Sequence, residues 1–301
     1  MISLEGADQE RLRHVLSFDV EEHFQVAAFW SSARRSQWEQ SPSRVEQNTR
    51  KISDLLSVHS TKATFFVLGW VAERHPGLVK DLAQQGHEIA SHGYGHELVH
   101  TQTPQQFRED VSRSKHILED LIGKPVLGYR APSFSITPQT EWAIRILIEE
   151  EYRYDSSIYN RFRSAPGTAT ANSGTYRIET EVGAIWEISP STTNACGFQL
   201  PVAGGGYFRL LPYSASKMFL KNLEKQGSQL VIYLHPWELD PEQPRMDGPM
   251  LSKVRHYLNL NKTEQRLRWL LRDFSFAPIN EVVRPVRDLI DKEFGGMPAL
   301  V

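Results

Sequence analysis

His92 and His96 lie four residues apart in the glycine-rich segment GHEIASHGYGH, residues 86–96. Two imidazoles at that spacing can converge on one divalent cation, as they do on one helix face in the HExxH zinc proteases. Gly93 and Gly95 separate them here, and glycine disfavours a helix. The segment is therefore predicted to be a loop that folds both rings toward one point. Catalytic zinc sites commonly use three protein ligands and leave a position for water. The rest of the chain must then supply a third ligand, a base and an acid. Taken alone, the motif is equally compatible with a pair of hydrogen-bonded loop histidines.

The run VLSFDVE carries the first candidates. Side chains alternate faces along a strand, so Asp19 and Glu21 share a face with Ser17. One carboxylate could bind metal while the other accepts a proton; a pair of surface acids is the plainer alternative. Glu22 takes the place of Glu21 if the strand ends before residue 20. In YRAPSFS (129–135), Arg130 follows an apolar run and Pro132 constrains the loop. Buried beside Asp19, an arginine would keep that carboxylate ionised and oriented. In QLVIYLHPWE (229–238), His235 ends an apolar run, where it could protonate a leaving group. Asp155 could hold His235 in one tautomer or act as an N-cap for the next element of the chain. Trp237 walls a pocket or fills the core. In GFQLPVAGGGYFRLLP (197–212), three glycines permit close backbone approach to a ligand, and Tyr207 and Phe208 could stack on a sugar ring. A rim loop that closes the core is the alternative.

These residues need a scaffold that gathers them. The apolar runs are VLSFDV (15–20), ATFFVL (63–68), HEIASH (87–92), VLGYR (126–130), YRYDSS (152–157), AIWEISP (184–190) and QLVIYLHP (229–236). Amphipathic stretches lie between most of them, near 43–58, 71–85, 104–122, 138–150 and 213–226. Strands alternating with helices imply βαβ units and parallel pairing. Seven candidate strands favour a closed or nearly closed (β/α) barrel over an open doubly wound sheet. In a barrel all strand carboxyl ends open on one rim. Asp19, Glu21, His92, Arg130, Asp155 and His235 would then converge from distant parts of the chain. Residues 157–183 read as an extended loop or hairpin insertion. The tail from 248 to 293 reads as mostly helical and packed on the barrel.

Composition narrows the class. The chain has 301 residues, is 40% hydrophobic and 23% charged, and has net charge −2. One α/β domain can have this length. No basic field is available to hold nucleic acid. The single cysteine, Cys196, excludes an intrachain disulfide and a multi-cysteine metal site; it reads as a small buried residue. No run reaches the roughly 18–20 apolar residues of a membrane span. The N-terminal stretch lacks a basic start and a long apolar core, so the expected location is cytoplasmic.

Taken in order, SFDVE, SHGYGH, YRAPS, DSS and LHPWE resemble the five motifs of NodB-homology polysaccharide deacetylases, carbohydrate esterase family 4. The resemblance runs from about residue 14 to 238, with 239–301 as a C-terminal extension of a single domain. FDVEEHF, GGGYFRLLP and HPWELDPEQPR further resemble the subgroup linked to exosortase exopolysaccharide loci. The family implies a deformed (β/α)7 barrel and a divalent metal, most often zinc. By the resemblance Asp19 is the base, His92 and His96 are metal ligands, Arg130 orients the base, and His235 is the acid supported by Asp155. Most members have adjacent aspartates, base then ligand; here Val20 intervenes and Glu21 matches the second acid. The implied reaction removes N-acetyl groups from amino sugars of a polysaccharide. Trp237, Tyr207, Phe208 and Pro132 are the expected substrate contacts. An allantoinase-like amidohydrolase on the same barrel and a non-catalytic glycan-binding protein are the competing expectations.

Overall fold

A computed structural model describes residues 12–29, 35–159, 174–195 and 198–294. Cys196 and residues 160–173 of the expected insertion lie outside them. In chain order the strands are β1 (Arg13–Val20), β2 (Thr64–Val67), β3 (Glu88–Ser91), β4 (Gly128–Tyr129), β5 (Tyr154–Asp155), β6 (Thr175–Thr180), β7 (Gly183–Ile188), β8 (Thr193–Ala195), β9 (Phe198–Leu200), β10 (Val231–Leu234) and β11 (Ser275–Ala277). The helices are α1 (Val45–Val58), α2 (Gly69–Arg74), α3 (Pro76–Gln84), α4 (Pro104–Ile122), α5 (Trp142–Glu149), α6 (Gly205–Leu210), α7 (Tyr213–Lys225), α8 (Met250–Tyr257), α9 (Leu260–Asp273), α10 (Ile279–Val282) and α11 (Arg284–Phe294). All the apolar runs became strands of one sheet.

That sheet has the order β10-β1-β2-β3-β4-β5-β7-β6. Neighbours from β10 through β7 run parallel, and β6 folds back on β7 as an antiparallel hairpin. Parallel neighbours need crossover connections, which α1 to α5 provide between successive strands from β1 to β5. The sheet curls until β7 approaches β10. Ser191 N–H donates to the Val231 carbonyl at 3.1 Å, and Tyr233 N–H donates to the Ala203 carbonyl at 3.0 Å. These bonds cross the seam, so the barrel is nearly closed, as expected.

Alternation along each strand divides the core in two. Leu16, Phe18 and Val20 face outward with Phe65 and Val67, in one cluster with Ile52 and Leu55 of α1 and Phe107 and Val111 of α4. Each such side chain removed from water stabilises the fold by about 1.5–3 kcal/mol. Helix α4 is set locally: Thr103 and Gln106 form a capping box, Pro104 opens the first turn, and Gly123 ends it with a left-handed φ of 65°. Facing inward, Val15, Phe66, Ala90, Ile188 and Val231 pack with Ile279, Val283 and Val286. The tail therefore plugs the amino end of the barrel and leaves the carboxyl rim open. It is helical as expected, but it also contributes β11, which pairs with the start of β1.

The plug encloses one acid. Glu88 accepts hydrogen bonds from Thr64 Oγ1 (2.7 Å), Tyr154 Oη (3.0 Å) and Asn280 N–H (3.2 Å). Burial raises its pKa from 4.5 to about 7, against those hydrogen bonds. The folded state thus binds this proton more tightly than the unfolded chain. The stabilisation is complete below about pH 4.5 and lost as pH rises through about 7. The residue keeps some exposure, so the effect is about 1–2 kcal/mol. Glu88→Gln should therefore flatten the decline in Tm between pH 5 and pH 8. Parallel Tm curves for the two proteins would contradict this.

Candidate active site

The carboxyl rim surrounds a cavity of about 650 Å³. Asp19 and Glu21 line it from the end of β1, His92 and His96 from the loop after β3, and His235 and Trp237 from the turn after β10. Arg130 lies behind Asp19 and is fully buried. One Nη of Arg130 donates to Asp19 Oδ1 at 2.6 Å and to Ser17 Oγ at 2.9 Å, while the other donates to Ser156 Oγ at 2.9 Å. Its guanidinium lies 4.0 Å from the centre of the Phe66 ring. This is the arginine–carboxylate pairing expected from YRAPS.

Glu21, His92 and His96 form a buried cluster in which one ligand atom from each lies within 4.8 Å of the others. Glu21 Oε2 is 2.5 Å from His96 Nε2 and 3.7 Å from His92 Nε2. His92 Nδ1 is 2.8 Å from the carbonyl of Arg130. That bond turns the other ring nitrogen toward Glu21, as outer partners of metal-ligating histidines do. Burial opposes ionisation of Glu21, yet the charge of His96 and the hydrogen bonds of both histidines hold its pKa well below the ordinary value. Trp237 Nε1–H donates to the other oxygen, Oε1, at 3.0 Å. Two imidazoles and one carboxylate are a donor set suited to zinc. Glu22 points elsewhere: its carboxylate accepts from Ser43 Oγ and from Arg44 N–H.

The histidine loop is held from outside. Asp110 of α4 accepts from Tyr94 N–H at 2.7 Å and from Gly95 N–H at 3.0 Å. Its approach explains Gly93, which has φ 76° and where a Cβ would come within 2.6 Å of the carboxylate. His96 itself has a left-handed φ of 52°. The segment is a loop, as its glycines predicted. Asp110 lies fourteen residues beyond His96 on a helix face, and no local motif pointed to it.

His235 departs from expectation. Its Nδ1 lies 2.7 Å from Glu238 Oε1, and its backbone N–H donates to the same atom at 3.0 Å. Arg209 Nε in turn donates to Glu238 Oε2 at 2.6 Å. Burial disfavours the imidazolium, but the Glu238 hydrogen bond and the charges of Glu21, Glu238 and Asp19 outweigh it and raise His235 to about 9. Asp155 does not hold His235. It accepts from Ser157 Oγ and lies opposite Glu187 in the β5–β7 register. Burial raises Asp155 to about 6, and burial together with the Asp155 charge holds Glu187 well above the carboxylate range. These acids brace the turn in which Ser156 meets Arg130. The His235 ring stacks on Trp237 at 5.0 Å, and Trp237 stacks on His256 at 4.2 Å.

The glycine triplet serves packing. A Cβ on Gly205 would lie 1.9 Å from Glu238, and one on Gly204 would lie 2.5 Å from Tyr233 Oη. The segment opens α6 instead of forming a loop. Tyr207 lines the cavity, but Phe208 is buried in the outer core against Tyr213. Pro132 is buried at the start of a tight turn and also leaves the cavity wall. Its neighbours Ser133 and Phe134 line the cavity, both with left-handed φ of 53°. Tyr159 and Tyr233 complete an aromatic wall that the motifs did not single out.

Comparison with known proteins finds two family models that match the chain. Residues 37–147 match the family model described as polysaccharide deacetylase, and residues 156–284 match DUF3473, a domain of unknown function. A peptidoglycan-N-acetylglucosamine deacetylase of Bacillus cereus is 38% identical over 96 residues, 32% of this chain and 35% of that protein. A peptidoglycan deacetylase of Helicobacter pylori is 29% identical over 108 residues, 36% of each chain. The chain spans about a third of the length of such relatives. A provisionally assigned polysaccharide deacetylase of Mycobacterium smegmatis superposes with TM-score 0.62 at 18% identity, covering 95% of this chain and 93% of that one. That likeness shows the fold. Over residues 37–147 the chain is thus similar to polysaccharide deacetylases.

If Asp110 preorganises the histidine loop, Asp110→Ala should weaken zinc binding by about 10–100-fold, measured by chelator competition. Zinc affinity equal to wild type would remove that role.

Proposed function

We propose that this chain is a metal-dependent deacetylase that hydrolyses N-acetyl groups on amino sugars of a polysaccharide. One observation carries the reading: two proton-handling groups face the ligand cluster together. His235 Nε2 is 3.8 Å from Asp19 Oδ2 and 3.9 Å from Glu21 Oε1. A divalent cation on Glu21, His92 and His96, zinc by the donor set, would acidify water and polarise the acetyl carbonyl. Asp19, held in place by Arg130, accepts the proton of the attacking water. His235, positively charged at neutral pH through Glu238, donates a proton to the departing amine. Backbone N–H groups near Ser133 and Tyr207, which line the cavity, can receive the developing oxyanion. The C–N bond breaks and acetate and a free amino sugar leave. The aromatic wall of Phe134, Tyr159, Tyr207 and Tyr233 suits sugar rings.

Within the family we place the chain in the exosortase-linked exopolysaccharide subgroup. FDVEEHF, GGGYFRLLP and HPWELDPEQPR support this, and the DUF3473 match spans the last two. A glycan-binding protein without catalysis has no need for a base held by a buried arginine or for an acid held by a buried carboxylate.

The test is acetate release from an N-acetylglucosamine oligomer by the zinc-loaded protein. Asp19→Asn should lower kcat by at least about 100-fold. Glu238→Gln should also lower kcat, by misorienting His235, and should lower Tm, because it leaves the buried Arg209 without its carboxylate. Full turnover by Asp19→Asn would eliminate the proposed base, and absence of acetate from every N-acetylated oligomer would eliminate the reading.

A further inference from the structure

Helix α8 stands at the mouth of the cavity, where its Ser252 and Arg255 line the wall. On its outer side Met250, Leu251 and Val254 are exposed by 76%, 80% and 53%. Val254 lies four residues after Met250 and three after Leu251, so it neighbours both on the helix surface. Elsewhere among the described residues the large exposed apolar side chains stand singly along the chain. Single exposed apolar residues need no explanation, but a clustered group beside an active site does.

The charge around this face is one-sided. Lys253 and Arg255 stand on the helix and Arg245 beside it, while Asp247 pairs with Lys253 at 3.3 Å, so cations outnumber acids here in a chain of net charge −2. Apolar side chains ringed by lysine and arginine are the pattern of a segment that lies in a lipid interface beside anionic headgroups. The same pattern disfavours a two-fold contact between copies, which would bring like cations together. Among the described residues no helix is long and apolar enough to cross a membrane, so contact of this kind is peripheral. The helix is also tied to the reaction centre. Arg209, which holds Glu238, donates to the carbonyls of Arg255, His256 and Leu258 at 3.1, 2.7 and 3.0 Å.

We infer that α8 docks the protein on an anionic membrane surface through Met250, Leu251 and Val254, with the cavity mouth beside the lipid. Polymer would then be met at the membrane, attached to it or emerging from it. What is met there rests on the deacetylase reading; the docking does not.

Co-sedimentation of the full chain with vesicles tests this. Vesicles of equal parts phosphatidylglycerol and phosphatidylcholine should carry down the wild type at low salt, and less at high salt. Pure phosphatidylcholine vesicles should bind it more weakly. Leu251→Asp/Val254→Asp should bind the anionic vesicles at least about 10-fold more weakly, with unchanged Tm and unchanged turnover of a soluble oligosaccharide. Wild type left in the supernatant with anionic vesicles would overturn the inference. So would equal binding by the double variant, or self-association that the variant abolishes without any vesicle binding. Vesicle binding is read without substrate, so this inference and the deacetylase reading fail separately.

Discussion

The site depends on one buried charge, the guanidinium of Arg130. It has no access to water, so every donor aimed at the rim needs an acceptor. Asp19, Ser17 and Ser156 supply them from β1 and from the turn after β5. Leaving such a charge unpaired costs roughly 3–5 kcal/mol. The same residue offers its carbonyl to His92. One position just after β4 therefore orients Asp19 by its side chain and a candidate metal ligand by its main chain. Room for it comes from small neighbours. Ser17 and Ser156 are short, and Gly128 admits the Tyr154 ring, which a Cβ would meet at 2.0 Å.

Around that charge the barrel is graded from apolar to polar along its axis. The amino end is closed by Ile279, Val283 and Val286, and the carboxyl end gathers Asp19, Glu21, His92, His96 and His235. A second buried pair, Arg209 with Glu238, governs the His235 side of the cavity. Arg209 reaches it from α6 while bonding carbonyls at the end of α8. The tail is thus part of the apparatus that sets the His235 imidazole, as well as the plug at the opposite end.

Much of this was legible in the sequence because parallel strands buried on both faces leave continuous apolar runs. Five of the seven runs ended in a reactive residue, and a barrel brings such ends to one rim. Gly93 and Gly95 correctly marked a loop. The features that escaped notice involve contacts without a local pattern. Glu238 was passed over because a carboxylate three residues after His235 folds back only through the tight turn that Pro236 begins. Asp155 stands at a strand end, as the other site residues do, but the register sets it against Glu187. The glycines at 204–206 were open to a ligand-loop reading, whereas they accommodate Tyr233 and Glu238. Phe208 follows Tyr207 directly, yet on α6 the two diverge, one to the cavity and one to the core.

The central claim is that Glu21 joins His92 and His96 in holding one metal ion, although the chain places Val20 where relatives with adjacent aspartates place an acid. Dialysis against zinc followed by elemental analysis tests it on wild type and Glu21→Ala. The account predicts one zinc per chain in the wild type and loss of tightly bound zinc in the variant, with the fold intact by circular dichroism. Full zinc occupancy in Glu21→Ala would contradict it.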